Sequence, residues 1–209
     1  MKLKRFLVPA LVLLVAVSCR KSPNLDQLSA NPVVATNVDV KADFTSYRTY
    51  FISDTVAYVG DNPSDTILTD NTAQQLVATV KQNMTARGYQ FVDRSANPDL
   101  GINMGVAKIT SATTIYPGWW WDYPGWWDPW YWGWYYPYYY PWSVTYIVTT
   151  GTVLIDLIDL KNASEDHKVE VVWTAVVGGA LGNDYNTNLQ RGIDGINQAF
   201  TQSPQVSAQ

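Results

Sequence analysis

Two apolar runs in the C-terminal half constrain the fold of this chain most. "GTVLIDLIDL" (151–160) and "KVEVVWTAVV" (168–177) are each long enough for a strand and rich in branched residues, and only the polar turn "KNASEDH" separates them. Such a pair predicts an antiparallel hairpin, because a short connection has no room for the crossover that parallel strands need. The first run is expected to begin further upstream, so that "SVTYIVTTGTVLIDLIDL" is one long strand. Other strands are predicted in "VVATNVDVKADF", where Val34, Thr36, Val38 and Val40 alternate with Ala35, Asn37, Asp39 and Lys41, and in "SYRTYFISD", with Tyr47, Thr49 and Phe51 on one face. "YQFVD" and "DLGINMGVAKIT" add two more.

Two segments carry the helical period instead. In "TAQQLVATVKQNMTARG" the residues Ala73, Leu76, Val77, Val80 and Met84 share one face, Thr72 and Gln75 fit a capping box, and Gly88 is placed to end the helix in a left-handed conformation. In "TNLQRGIDGINQAF" the stripe is Leu189, Ile193, Ile196 and Phe200, with Thr187 and Gln190 as the capping box. Gly192 and Gly195 inside that helix cost about 1 kcal/mol each relative to Ala. The expected architecture is α+β, a mostly antiparallel β-sheet with two α-helices packed on one face.

One stretch fits neither period. Residues 116–142, "YPGWWWDYPGWWDPWYWGWYYPYYYPW", hold nine of the ten Trp and eight of the fourteen Tyr, five Pro, three Gly and two Asp, and nothing else. With Pro or Gly every few residues and no aliphatic side chain, it is predicted to be a long aromatic Gly/Pro-rich loop insertion. "YPGWW" occurs twice, at 116–120 and 123–127, and repetition in a low-complexity segment means many similar contacts, not one shaped pocket. The rings expected to form a binding loop are Trp119, Trp120, Trp121, Trp126, Trp127, Trp130, Trp132, Trp134, Tyr138, Tyr139, Tyr140 and Trp142. Four occupants suit them: the headgroup level of a bilayer, the flat face of an envelope glycan, another envelope protein or a second copy of the chain. A fifth arrangement needs no partner, the loop folding back on its own sheet.

The N-terminus gives the address. Lys2, Lys4 and Arg5 precede an apolar stretch, Phe6 to Val17, which is too short to span the ~30 Å hydrocarbon core and reads as a secretory signal. It ends "AVSC", which resembles the lipobox of bacterial lipoproteins. Residues 1–18 are therefore expected to be removed and Cys19, the only Cys, to carry the lipid; two or three acyl chains would hold the protein on a membrane. Arg20 at the second mature position points by analogy to an outer-membrane, periplasm-facing protein. Residues 20–32, polar and without apolar periodicity, read with Cys19 as a tether (19–32), followed by a domain over 33–204 and a tail over 205–209.

Charge narrows the partners. Without Lys2, Lys4 and Arg5 the chain keeps 11 basic residues against 18 acidic, and no Lys or Arg stands between Lys108 and Lys161. A nucleic-acid partner is excluded on this ground, since a phosphate backbone needs cations among the stacking rings. Catalysis finds no constellation either. The sole His, His167, sits in the hairpin turn, no G-x-S-x-G elbow is present, and Gly178, Gly179 and Gly182 do not make a phosphate loop. Asp61, Asp65 and Asp70 lack calcium-loop spacing. Asp122 and Asp128 flank the repeats as the two carboxylates of a glycosidase would, but in Asp-Tyr-Pro and Asp-Pro-Trp they read as turn initiators. The expectation is a non-enzyme without cofactor or metal, of binding or structural role; the alternative is a glycan-binding or glycan-cleaving protein that uses the aromatic loop.

The chain also resembles the bacterial lipoproteins with a DUF4136 domain. The resemblance rests on "DFTSYRTYFISD", "NPDLGINMGV", "GTVLIDLIDLKNASEDHKVEVVWTAVVGGAL" and a terminal helix with Ile196, Ala199, Phe200 and Pro204, in that order. It implies an exported, small α+β protein, and implies no activity. Thr174 and Ala175 follow Trp173 where the family often has a basic residue, so no role for that cation carries over.

Overall fold

The polar turn after Leu160 closes the expected hairpin, and the rest of the sheet is added to its two edges. In the computed structural model, which describes residues 32–60, 67–108, 113–115, 136–137, 146–148, 151–163, 168–180 and 185–209, the chain runs β1 (Val33–Val38), β2 (Thr49–Ile52), β3 (Val56–Gly60), β4 (Ile67–Leu68), α1 (Asn71–Ala86), β5 (Gln90–Phe91), β6 (Leu100–Lys108), β7 (Thr113–Ile115), β8 (Tyr136–Pro137), β9 (Tyr146–Val148), β10 (Val153–Asp159), β11 (Lys168–Gly178) and α2 (Tyr185–Thr201).

The main sheet has the order β1-β11-β10-β6-β2-β5 and is open. Its centre is antiparallel: β1 to β11, β11 to β10, and β10 to β6. Beyond β6 the sense changes. β2 pairs parallel with the first residues of β6 and β3 with the last, so the two lie end to end along one edge, interrupted at Ser53–Thr55. This parallel edge follows from α1, which stands between β3 and β6 in sequence and supplies the crossover a parallel pair requires. The architecture is α+β, a mostly antiparallel sheet with two helices. Leu76, Val80 and Met84 of α1 and Ile196, Ala199 and Phe200 of α2 join Tyr50, Ile102, Met104, Ile155 and Trp173 of the strands in one core. Trp173 packs against Phe200, the rings tilted by 36° with centroids 4.9 Å apart, and its indole N–H donates to Ser203 Oγ at 2.9 Å.

Several local expectations are corrected. α1 is capped by Asp70, whose Oδ1 accepts from Ala73 N at 3.0 Å; Thr72 lies inside the helix and is buried. A carboxylate at this position also meets the positive end of the helix. α2 starts at Tyr185, two residues before the expected cap Thr187. In β2 the buried phase is Tyr50 and Ile52, not Thr49 and Phe51, and Tyr47 enters the core from just before the strand. The long strand over 143–160 is broken: Gly151 takes φ +82° before β10, and β9 pairs with β7 in a separate two-stranded ribbon. Gly88 ends α1 as expected, at φ +87°, with Gly88 N donating to Thr85 O and Tyr89 N to Met84 O.

Gly192 and Gly195 have a packing reason. A Cβ at 195 would lie 2.2 Å from Val177 Cγ1 and 3.1 Å from Pro32 Cγ, and one at 192 would lie 2.9 Å from Leu76 Cδ2. α2 thus approaches β11 and α1 too closely for a side chain. The last residues, read as a tail, are packed as well: Val206 is fully buried, and Ala208 N donates to Arg87 O at 3.0 Å.

Candidate functional site

Both helices serve one face of the sheet, yet β10 and the centres of β6 and β11 are buried on both faces. The second face has a definite pattern, read from the strand registers. One row across it is Ala35, Val176, Leu154, Gly105 and Ala57; another is Val171, Ile158, Gly101 and Phe51. Between these two rows of mainly apolar side chains and glycines runs a polar one: Asn37 opposite Thr174, Thr174 opposite Asp156, and Asp156 opposite Asn103.

Three of these four are almost inaccessible, Asp156 at 0%, Asn103 at 1% and Thr174 at 3% exposure. Thr174 Oγ1 donates to Asp156 Oδ1 at 2.7 Å. Asn103 is different: neither its amide nitrogen nor its amide oxygen has a hydrogen-bond partner among the described residues, and the amide nitrogen of Asn37 has none either. An unpartnered buried amide group costs about 1–3 kcal/mol, so a row carrying several such atoms marks a place where more than packing is at work. Gly101 and Gly105 flank Asn103 on the same face of β6 and leave the space beside it free of side chains of their own. Chemically the row offers amide donors and acceptors, one hydroxyl and one carboxylate. It suits hydrogen bonding to neutral polar groups. Among the described residues no cluster of His, Cys, Asp and Glu could hold a metal ion.

Sequence reading missed this row. Its signal is a polar residue inside each otherwise largely apolar strand: Asn37 in "VATNV", Asn103 in "GINMG", Asp156 in "VLIDLID" and Thr174 in "VVWTAVV". Only the register shows that the four are neighbours.

The predicted sites stand elsewhere. Cys19 and all twelve predicted ring residues, from Trp119 to Trp142, lie outside the described residues, as do Asp122, Asp128 and His167. What the structure gives is how the aromatic run is attached. β7, which precedes the run directly, and β9, which begins four residues after it, pair antiparallel from Thr113 opposite Val148 to Ile115 opposite Tyr146. In its interior, Tyr136 and Pro137 form β8, parallel to Lys168 and Val169 at the start of β11.

Two other features are weaker candidates. Tyr47 donates to Asp159 Oδ2 at 2.8 Å, and Asn162 occupies both Asp159 oxygens, from its backbone nitrogen at 3.0 Å and its amide at 2.6 Å. Burial, then the adjacent carboxylate charge, holds the Tyr47 phenol far above its ordinary range. This carboxylate is fully engaged and ties the end of β10 to the start of β2. A groove of about 430 Å3, lined by Asp54, Thr55, Thr69, Gln74, Val77, Ala78 and Lys81, contains the ion pair Lys81–Asp54 at 2.8 Å. Asp54 is largely exposed, and such pairs contribute little.

The family model for DUF4136, a domain of unknown function, matches residues 34–205. The chain belongs to the DUF4136 family. A crystal structure of a DUF4136 family protein from Bacteroides thetaiotaomicron is 33% identical, covers 86% of this chain and 99% of its own, and superposes with a TM-score of 0.71. A PelC dodecamer from Paraburkholderia phytofirmans is 14% identical over 81% of this chain and 96% of its own, with a TM-score of 0.37, too low to establish a common fold. No curated protein matches the chain. The DUF4136 domain therefore accounts for the sheet and both helices, and its description assigns no activity.

Proposed function

We propose that this chain is a lipid-anchored cell-envelope protein of non-catalytic binding or structural role, held on the periplasmic side of the outer membrane through Cys19. The observation that carries the reading is a shared end of the sheet. Val33, the first residue after the tether, lies opposite Gly178; Val153 lies opposite Val177 and Val106. The tether's arrival, the departure of β6 towards β7 and the return from β9 to β10 all occur at that end. A lipid on Cys19 would turn it towards the bilayer, bringing the base of the aromatic run to the depth where Trp and Tyr are favoured. Among the described residues no helix is long and apolar enough to cross a membrane. The non-catalytic reading takes the polar row as a hydrogen-bonding surface, since its one carboxylate, Asp156, is fully buried and is held by the Thr174 hydroxyl at 2.7 Å.

The test is fractionation with metabolic labelling. Wild-type protein is expected in the outer-membrane fraction and to incorporate a fatty-acid analogue; Cys19→Ala is expected in the soluble periplasm, unlabelled. A mutant that stays in the membrane pellet, or an unlabelled wild type, overturns the anchoring. Turnover of an envelope glycan that is lost on Asp122→Asn or Asp128→Asn overturns the non-catalytic reading.

A further inference from the structure

We infer that β1 is a self-pairing edge: two copies of the chain join their β1 strands antiparallel about a two-fold axis at Thr36, so that one sheet runs through a homodimer. β1 ends the main sheet on its side. Asp39 N donates to Val172 O, so in this ladder the odd-numbered residues turn their backbone groups to β11, while Val34, Thr36 and Val38 turn theirs outward. Val34 O accepts from Gln202 Nε2 at 3.4 Å, a long bond that is shared with Thr36 Oγ1 at 3.2 Å. The outward backbone groups of Thr36 and Val38 have no partner among the described residues. Natural edge strands are blunted by Lys, Pro or a bulge, and Val33–Val38 has none of the three. Val33 and Val40 bracket it, at 77% and 92% exposure. The other edge of the sheet is guarded: β5 has two residues, and Lys81 lies 4.6 Å over Phe91.

The occupant is a second copy because the strand is its own complement. With Thr36 on the axis, Val34 lies opposite Val38 of the second copy and Thr36 opposite Thr36, so every outward residue exchanges backbone bonds. Val–Val and Thr–Thr cross-strand pairs then form on the helix side, where Val34 and Val38 already pack on the core. Any other axis leaves one of the three residues outside the ladder. Charge agrees with this choice. From Cys19 onward the chain has 18 acidic residues against 11 basic, so two copies repel on average. Yet no charged residue stands in 31–38 or in 195–209, the stretch from which Gln202 reaches β1. Depletion of charge marks the core of an interface. The inference does not rest on the lipid anchor. Val33 and its symmetry mate lie about 20 Å apart in such a dimer, and the thirteen residues from Cys19 to Asn31, up to about 40 Å when extended, let both chains of an anchored dimer reach one bilayer.

The experiment uses the mature chain with Cys19→Ser in sedimentation equilibrium, where a reversible dimer is expected. Thr36→Pro removes an outward N–H from each copy and is expected to weaken the dimer about tenfold or more, since two backbone bonds on the axis are lost. Gln202→Lys, an exposed change that sets two cations beside the axis, is expected to weaken it at low salt and less at high salt. In the same Cys19→Ser background, Thr36→Cys supplies the only thiol, and dibromobimane, which joins neighbouring thiols, is expected to give a covalent dimer. Gln82→Cys, on the exposed side of α1, is expected to give none. A chain that is still monomeric at about 1 mM, a dimer as strong in Gln202→Lys as in wild type at low salt, or equal crosslinking from positions 36 and 82 overturns the inference.

Discussion

Thr174 Oγ1 donates to Asp156 Oδ1 at 2.7 Å from directly opposite positions on adjacent strands, at the buried centre of the sheet. Removing the hydroxyl takes this donor away from a fully buried carboxylate. Thr174→Val, nearly the same shape, is expected to lose about 1–3 kcal/mol, a fall of several degrees in Tm for a domain of this size. Thr174→Ser is expected to recover most of it. An unchanged urea midpoint for Thr174→Val would show that the bond contributes nothing.

What the sequence revealed and what it hid differ by the range of the interaction. The helix faces over Ala73–Met84 and Ile196–Phe200, the hairpin and the left-handed stop at Gly88 were legible because periodicity and turn chemistry are local. The cap was misplaced from Asp70 to Thr72 because both residues satisfy the same local rule, and only the helix start decides between them. The parallel edge formed by β2 and β3 was not legible, since it depends on where α1 crosses. The polar row was hidden for the same reason: Asn37, Asn103, Asp156 and Thr174 are scattered over the chain and become one feature only through three registers. The packing value of Gly195 also lies in a distant residue, Val177.

That contact gives a second prediction. Gly195→Ala gains about 1 kcal/mol of helix propensity but forces a methyl towards Val177 and Pro32, and overpacking costs about 1–3 kcal/mol. A net loss of stability is expected in thermal unfolding. Gly192→Ala meets Leu76 Cδ2 alone, at 2.9 Å and at the far end of that buried side chain, and is expected to lose less than Gly195→Ala. Val177→Ala should partly rescue Gly195→Ala; strictly additive losses in the double mutant would refute the clash.

The buried phenols predict alkaline instability. Tyr47 is raised above its ordinary range by burial and by Asp159, and Tyr89 by burial. An unfolded phenol ionises near pH 10, whereas the folded ones keep their protons to higher pH. The folded state then binds more protons, so stability is full below about pH 10 and falls as pH rises above it. Tyr47→Phe loses a hydrogen bond at every pH, so the diagnostic quantity is the slope. Urea midpoints for the mutant between about pH 9 and 11 should fall less steeply than for wild type, and equal slopes would exclude Tyr47 as a source.

The C-terminal residues provide the last prediction. Val206 is fully buried in the core shared by the strands and helices. Around it, Ala208 N and Ser207 Oγ both donate to Arg87 O, at 3.0 and 3.3 Å, and Arg48 Nη1 donates to Ala208 O at 3.1 Å. The Arg87 carbonyl closes the end of α1, where helices leave such groups without internal partners. Deleting 205–209 therefore removes an apolar side chain worth about 1.5–3 kcal/mol and uncovers that carbonyl. Truncation is expected to lower the urea midpoint clearly and to speed hydrogen exchange at Gly88 and Tyr89 more than in β10. Val206→Ala should reproduce much of the stability loss without the local exchange. A truncated chain with wild-type stability would show that these residues are only an appendage.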